Sequence, residues 1–154
     1  KNGLSDYLRD NLELAMAAYA LLGYEVTEAL FDQDALFGRL TKIAPNITLD
    51  VGHNALAAHA IAESFRGKKI TLVYNTYGDK EYGEILTILA PIIDRVEIIE
   101  VDEARIVQRS LLEAVLNERG FDYGSFKTID ASKEYLVFGS FSVAEAFLTR
   151  MSNA

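Results

Sequence analysis

The sequence predicts an α/β domain, a mainly parallel sheet with helices on both faces, preceded by two helices. Three observations carry that reading. The runs ITLVY (residues 70–74) and YLVF (residues 135–138) are continuously apolar, the pattern of strands buried on both faces. From Arg39 onward, such runs alternate with stretches of helical length and periodicity, which is the grammar of a sheet crossed by helices. The 154 residues are 50% hydrophobic and 25% charged, the balance of one folded domain with a real core.

Taken in order, DNLELAMAAYALL (Asp10–Leu22) reads as a helix, with Gly23 placed to end it. Its apolar residues go nearly all the way round, so burial on more than one side is expected. A second short helix is expected over Thr27–Leu36, with Thr27 as its cap. Leu40–Ile43 and Ile47–Val51 read as strands flanking the turn Ala44-Pro45-Asn46. Ala55–Phe65 is a helix closed by Gly67, and Ile70–Tyr74 is a strand. Tyr82–Ile92 reads as a helix and VEIIEV (Val96–Val101) as a strand. Val107, Leu111, Leu112, Val115 and Leu116 share one face of a helix over Val107–Arg119, which Gly120 stops. Tyr135–Phe138 and Phe141–Met151 are the last strand and the last helix.

Composition removes several function classes. With no cysteine there is no disulfide, thiolate zinc site or Cys nucleophile, and a reducing cytoplasm is the expected compartment. A net charge of −8 without a dense Lys/Arg run argues against nucleic acid, whose phosphates require an electropositive stripe. No apolar run has the length of a membrane span, so no membrane partner is expected. The opening Lys-Asn-Gly-Leu-Ser-Asp lacks both Met and the layout of a secretory signal, and a piece of a longer protein is expected.

Ligands of such sheets gather at the carboxyl ends of strands, and three of these ends are unusually polar. Asp50-Val51-Gly52-His53-Asn54 closes one strand and opens a helix that Asn54 can cap. Asp50 and His53 would project over the strand ends; a capped loop with a satisfied Asp and His is the commoner outcome of such a sequence. Gly139-Ser140 precedes the last helix, whose amino terminus favours an anion and whose cap Ser140 can form, and both roles can coexist. Asn75-Thr76-Tyr77-Gly78-Asp79-Lys80 follows the ITLVY strand and offers Lys80 as a point charge, or an ordinary exposed lysine. His59, within a helix, reads as structural or solvent-facing, and the two Met residues as packing. Gly67-Lys68-Lys69 fails as a phosphate loop, because no Ser or Thr follows Lys68 and the segment runs from helix to strand. GSFSV lacks the second glycine of a serine-nucleophile elbow.

Taken together, Gly38-Arg39, the segment Leu-Asp-Val-Gly-His-Asn (49–54), Gly-Asp-Lys-Glu (78–81) and Val-Phe-Gly-Ser (137–140) resemble the folylpolyglutamate synthase/dihydrofolate synthase family of the Mur ligase superfamily, from about Asn11 to the end. Asp-x-x-His-Asn combined with Gly-Ser is the specific part. The resemblance implies the carboxy-terminal domain, with a Rossmann-like sheet over residues 37–154, and makes residues 1–36 the last helices of an adjoining central ATPase domain. It implies ATP-driven addition of L-glutamate to a folate or dihydropteroate carboxylate through an acyl phosphate, with ATP and Mg2+ as cofactors and most magnesium ligands in domains outside this chain. Residue by residue, it implies Asn11 near the adenine, Arg39 at the ATP phosphates and Asp50 on the nucleotide. His53 and Ser140 correspond to catalytic positions associated with the incoming glutamate, and Lys80 to a substrate carboxylate. Phe37 stands where the family often has Pro.

Alone, the chain is expected to lack ligase activity, and the longer enzyme to be a monomer. The apolar first helix, without its usual neighbour, is expected to drive dimerisation or swapping of residues 1–36. Two rival readings are another Mur-type amino-acid ligase and a non-catalytic module that binds a small anion at the last helix.

Overall fold

The computed structural model describes residues 6–25, 27 and 37–152. The chain divides into two compact units, Lys1–Leu36 and Phe37–Ala154. In the first, α1 spans Asp6–Leu21, starting earlier than the sequence predicts. It ends where Gly23 adopts a φ of 83° and the Tyr24 N–H returns to the Tyr19 carbonyl, the left-handed stop that glycine makes cheaply. Where the sequence reading expects burial on more than one side, Leu14 and Leu21 of this helix and the following Leu22 are exposed among the described residues. The second expected helix lies outside the described residues, apart from an irregular Thr27.

The second unit is built on a six-stranded sheet in the order β1-β2-β6-β3-β4-β5. The strands are β1 (Thr41–Ala44), β2 (Ile47–Asp50), β3 (Ile70–Tyr74), β4 (Ile93–Ile98), β5 (Tyr123–Ser125) and β6 (Tyr135–Phe138). β1 pairs antiparallel with β2, and every other pairing is parallel. The continuously apolar β3 and β6 are wholly buried because they lie at the centre of the sheet, with helices on both sides.

The helices are α2 (Ala55–Ser64), α3 (Tyr82–Leu89), α4 (Arg109–Glu118) and α5 (Phe141–Ser152). The crossovers from β2 to β3, β3 to β4 and β4 to β5 carry α2, α3 and α4, which pack together on one face. There Ala58, Ile61, Leu86, Leu89, Leu112 and Leu116 pack on Leu72, Val96, Leu136 and Phe138. On the opposite face Val143, Ala144 and Phe147 of α5 pack on Leu49, Val73, Val137 and Phe126. Burying one such side chain contributes roughly 1.5–3 kcal/mol.

Three elements of this unit differ from the sequence reading by more than one residue. The helix expected over Tyr82–Ile92 ends at Leu89, and Ala90–Ile92 forms a 3-10 turn with Pro91 in its first positions, since proline cannot supply the amide that continues an α-helix. This early stop lets β4 run from Ile93 to Ile98, not from Val96 to Val101. α4 begins at Arg109, so Val107 precedes the helix; it is nonetheless buried, and its N–H donates to the Thr76 carbonyl. β5, which the sequence does not announce, pairs Tyr123, Gly124 and Ser125 with Val96, Glu97 and Ile98.

Candidate functional site

The order of the strands locates a crevice. β6 lies between β2 and β3, in register with both: Phe138 is opposite Asp50 on one side and Tyr74 on the other. Beyond these residues, the chain leaves β2 and β3 for helices on one face and leaves β6 for α5 on the other. Loops that part in opposite directions leave an opening at the carboxyl ends, the usual ligand position of a doubly wound sheet. Neighbouring strands are about 4.8 Å apart, so Asp50–Asn54, Gly139-Ser140 and Asn75–Lys80 meet at one end of the sheet.

The β6 end is held by a close approach. Gly139 has a φ of 138°, and a Cβ there would come within 1.9 Å of the Asn75 carbonyl oxygen. Ser140 is buried, 2% exposed, and its Oγ accepts the Val143 N–H at 3.2 Å. It therefore caps α5, whose other first-turn amides form the positive end of the helix.

The β2 end is built around Asp50, 6% exposed. Its Oδ1 accepts the Gly52 N–H at 2.7 Å and its Oδ2 the Leu40 N–H at 2.9 Å. An Arg39 guanidinium nitrogen lies 3.8 Å from Oδ1. Burial pushes the Asp50 carboxyl above its ordinary value, opposed by the Gly52 and Leu40 amides and by the Arg39 charge. His53 is half-buried, its Nδ1 3.4 Å from the Val51 carbonyl oxygen. Asn54 caps α2 as its sequence suggests, accepting the Ala57 N–H at 2.9 Å.

The β3 end is committed to structure. Asn75 donates to the Ile99 carbonyl at 2.7 Å and accepts the Thr76 N–H at 2.9 Å. Burial raises the Tyr74 hydroxyl well above the usual phenol range. Lys80 pairs with Asp79 at 3.2 Å, and that exposed pairing lowers the Asp79 carboxyl.

Sequence reasoning missed the bridge between this loop and the next. Gly78 N–H donates to the Arg105 carbonyl, and Tyr77 pairs with Ile106. The Arg105 guanidinium sits 4.4 Å from the Tyr77 ring centroid, and its other contact is Asp79 at 3.6 Å. Tyr77 and Ser142 hydroxyls are 3.0 Å apart, and Ser142 donates to Glu103. This chain of hydroxyls ties the β3 and β4 loops to the first turn of α5. Tyr77 was visible within a loop already singled out, but Glu103 and Arg105 follow a strand whose end the sequence places too late.

The structure thus brings Arg39, Asp50, His53 and Ser140 to one end of the sheet, with Lys80 on the adjoining loop. Asn11 is exposed on α1, in the other unit. Among the described residues no group of three or more His, Asp or Glu side chains suits a metal ion, and no helix is long and apolar enough to cross a membrane.

No protein-family model matches the chain, and no curated sequence does. Solved structures do. The crystal structure of Helicobacter pylori folylpolyglutamate synthetase aligns with a TM-score of 0.82 and 35% identity, over 100% of this chain and 46% of that one. E. coli FolC in complex with DHPP and ADP aligns at 0.71 and 22% identity, over 90% and 37%. The Mycobacterium tuberculosis folylpolyglutamate synthase complexed with ADP and AMPPCP aligns at 0.73 and 21%, over 96% and 40%. The latter two show the shared fold, and this chain spans less than half the length of each of the three proteins. The agreement in fold, together with the identity to the H. pylori protein, shows that this chain belongs to the folylpolyglutamate synthase/dihydrofolate synthase family, as a segment the size of its carboxy-terminal domain.

Proposed function

We propose that this chain is the carboxy-terminal part of an ATP-dependent ligase that adds L-glutamate to a folate or dihydropteroate carboxylate. The end of β6 carries the proposal, because β6 lies between β2 and β3 and its buried, capping Ser140 follows the same strand ends as Asp50, whose partner Arg39 keeps a side chain 34% exposed. In the reaction, the pterin-linked carboxylate attacks the γ-phosphorus of ATP, ADP leaves, and an acyl phosphate forms. The glutamate amine then attacks the acyl carbon, phosphate leaves, and the amine loses a proton. Such steps depend on positioning and on neutralising phosphoryl charge.

Arg39 and Asp50 form the nucleotide side of the crevice. The guanidinium stands at 3.8 Å from a single carboxylate oxygen, so most of its donors are available to phosphate oxygens. His53 and Ser140 form the glutamate side, where the α5 amides favour a carboxylate. Lys80 and Arg105 add positive charge on the neighbouring loop, while Glu103 at Ser142 offers an acceptor to an ammonium. An amino acid carries both charges and suits both. Magnesium would supply charge neutralisation on the phosphates; the described residues do not form a site for it, and on this reading its ligands lie mainly outside this chain. Residues 1–36, with Asn11 near the adenine, close the central ATPase domain on this reading, and the longer enzyme is a cytoplasmic monomer.

The test compares two proteins. A longer protein carrying an upstream GxxxxGK[ST] loop should form glutamylated folate or dihydropteroate and release phosphate from ATP. The 154-residue chain alone should do neither. Glutamylation by the chain alone would refute the proposal, as would a longer protein that ligates only peptidoglycan precursors in a substrate panel.

A further inference from the structure

We infer that the cleft between β4, β5 and the start of β6 is a second ligand site, which takes hydrogen phosphate and selects it over sulfate through Glu97. It lies apart from the crevice at the carboxyl ends and does not rest on the ligase reading.

The cleft follows from the strand order. Val73 pairs with Glu97 on one side and Val137 on the other, so Glu97 turns to the same face of the sheet as two valines packed under α5. Two residues back, Thr71 aligns Arg95 with Tyr135. Beside the apolar contacts of α5, this face holds a cavity of about 480 Å³ lined by Glu97, Gly124, Ser125, Lys127, Lys133 and Tyr135. Tyr135 opens β6 and Phe138 closes it, so cleft and crevice are about 10 Å apart along the strand.

Some polar groups of the cleft are already committed. The Asp130 carboxylate accepts the Ser132 N–H and hydroxyl, and Arg95 pairs with Asp122. Others are not. Among the described residues, neither the Lys127 nor the Lys133 ammonium has a carboxylate within ion-pair distance. The Tyr135 hydroxyl, in a side chain 1% exposed, accepts the Asp130 N–H at 3.1 Å and keeps its own hydrogen to donate. Against these donors stands one acceptor: Glu97 Oε2 is buried with no hydrogen-bond partner. An orphaned carboxylate oxygen is costly, and a ligand that brings a donor relieves it. Burial pushes the Glu97 carboxyl up, opposed by the Arg95 and Lys133 charges.

The ligand is therefore an anion that still carries a hydrogen to donate. Hydrogen phosphate meets both needs: its oxygens accept from the two lysines and Tyr135, and its P–OH donates to Glu97 Oε2. Sulfate has the same shape and charge but no proton, so it sets an oxygen against the carboxylate. A phosphate monoester loses its last proton at about pH 6 and meets the same repulsion above that.

The test titrates the 15N-labelled chain at about pH 8 with inorganic phosphate, sulfate and glycerol phosphate at matched ionic strength. Phosphate should move the Gly124, Lys127 and Lys133 amides on a saturating curve. Sulfate and glycerol phosphate should bind at least about tenfold more weakly, for want of one charge-assisted bond. Glu97→Gln offers an amide NH2 and should bring sulfate level with phosphate or ahead of it. Lys127→Ala and Lys133→Ala, at exposed positions, should each weaken phosphate by about three- to tenfold. Equal binding of phosphate and sulfate in the wild type would overturn the inference, as would a preference that survives Glu97→Gln or no saturable shift with phosphate. Shifts confined to Ser140–Ala144 would also overturn it, by seating phosphate at the α5 terminus, and would leave the ligase reading untouched.

Discussion

Gly139→Ala places a methyl group 1.9 Å from the Asn75 carbonyl oxygen, where ordinary contact begins at 3.4 Å. The ends of β6 and β3 must therefore separate by about 1.5 Å, which strains the pairing of Phe138 with Tyr74. Forcing a methyl into a packed site costs about 1–3 kcal/mol. The φ of 138° is a glycine conformation, and holding alanine in it costs about 1–3 kcal/mol more. The sum, about 2–6 kcal/mol, is a large fraction of the roughly 5–15 kcal/mol by which domains are stable. At about 2–4 °C per kcal/mol, thermal unfolding followed by circular dichroism should shift down by about 4 °C at the least and about 24 °C at the most. Gly67→Ala is the control, since Gly67 has a φ of 79° but nothing within 4 Å of an added Cβ. It should lose only the left-handed penalty of about 1–2 kcal/mol. Equal shifts in the two variants would refute the reasoning, because the contact with Asn75 would then contribute nothing.

Carboxyl 13C titration should place Asp50 above its ordinary value, and Arg39→Ala should move it higher still, because the Arg39 charge opposes the effect of burial. The sign for stability follows: the native state binds more protons than the unfolded one between the unfolded and folded values, so this group's contribution declines as pH rises through that window. Asp50→Asn should remove that slope from a pH series of urea denaturation; an unchanged slope would count against it. Asn54→Ala removes the cap that accepts the Ala57 N–H at 2.9 Å and should cost about 1 kcal/mol, read as a lower urea midpoint with an unchanged m-value. The exposed Leu14, Leu21 and Leu22 should make the chain self-associate in sedimentation velocity at high concentration, and Leu21→Glu with Leu22→Glu should reverse it; a clean wild-type monomer would refute this.

Sequence reading succeeded where the signal is local. β3 and β6 are apolar throughout and lie where their residues predict, and Asn54 and Gly23 punctuate helices as their chemistry suggests. It failed where neighbouring apolar segments run together. Across ILAPIIDRVEIIEV the hydrophobic pattern does not separate helix from strand, and only Pro91 marks the change. β5 is a three-residue strand containing Gly124; pairing with β4 defines it, not a propensity of its own.

The polar strand ends followed the same division. Asp50, His53, Lys80 and Ser140 are legible as residues, since a polar cluster after an apolar strand is a sequence feature. The sequence by itself determined an α/β architecture, the polar chemistry of its loops and the family those loops resemble. Only the tertiary structure decided that β6 inserts between β2 and β3, which opens the crevice, because strand order depends on packing between segments far apart in the chain. It also decided what Asp50 does with its oxygens. Their partners, the amides of Leu40 and Gly52, are backbone groups that every residue carries, so no choice of side chain reveals them.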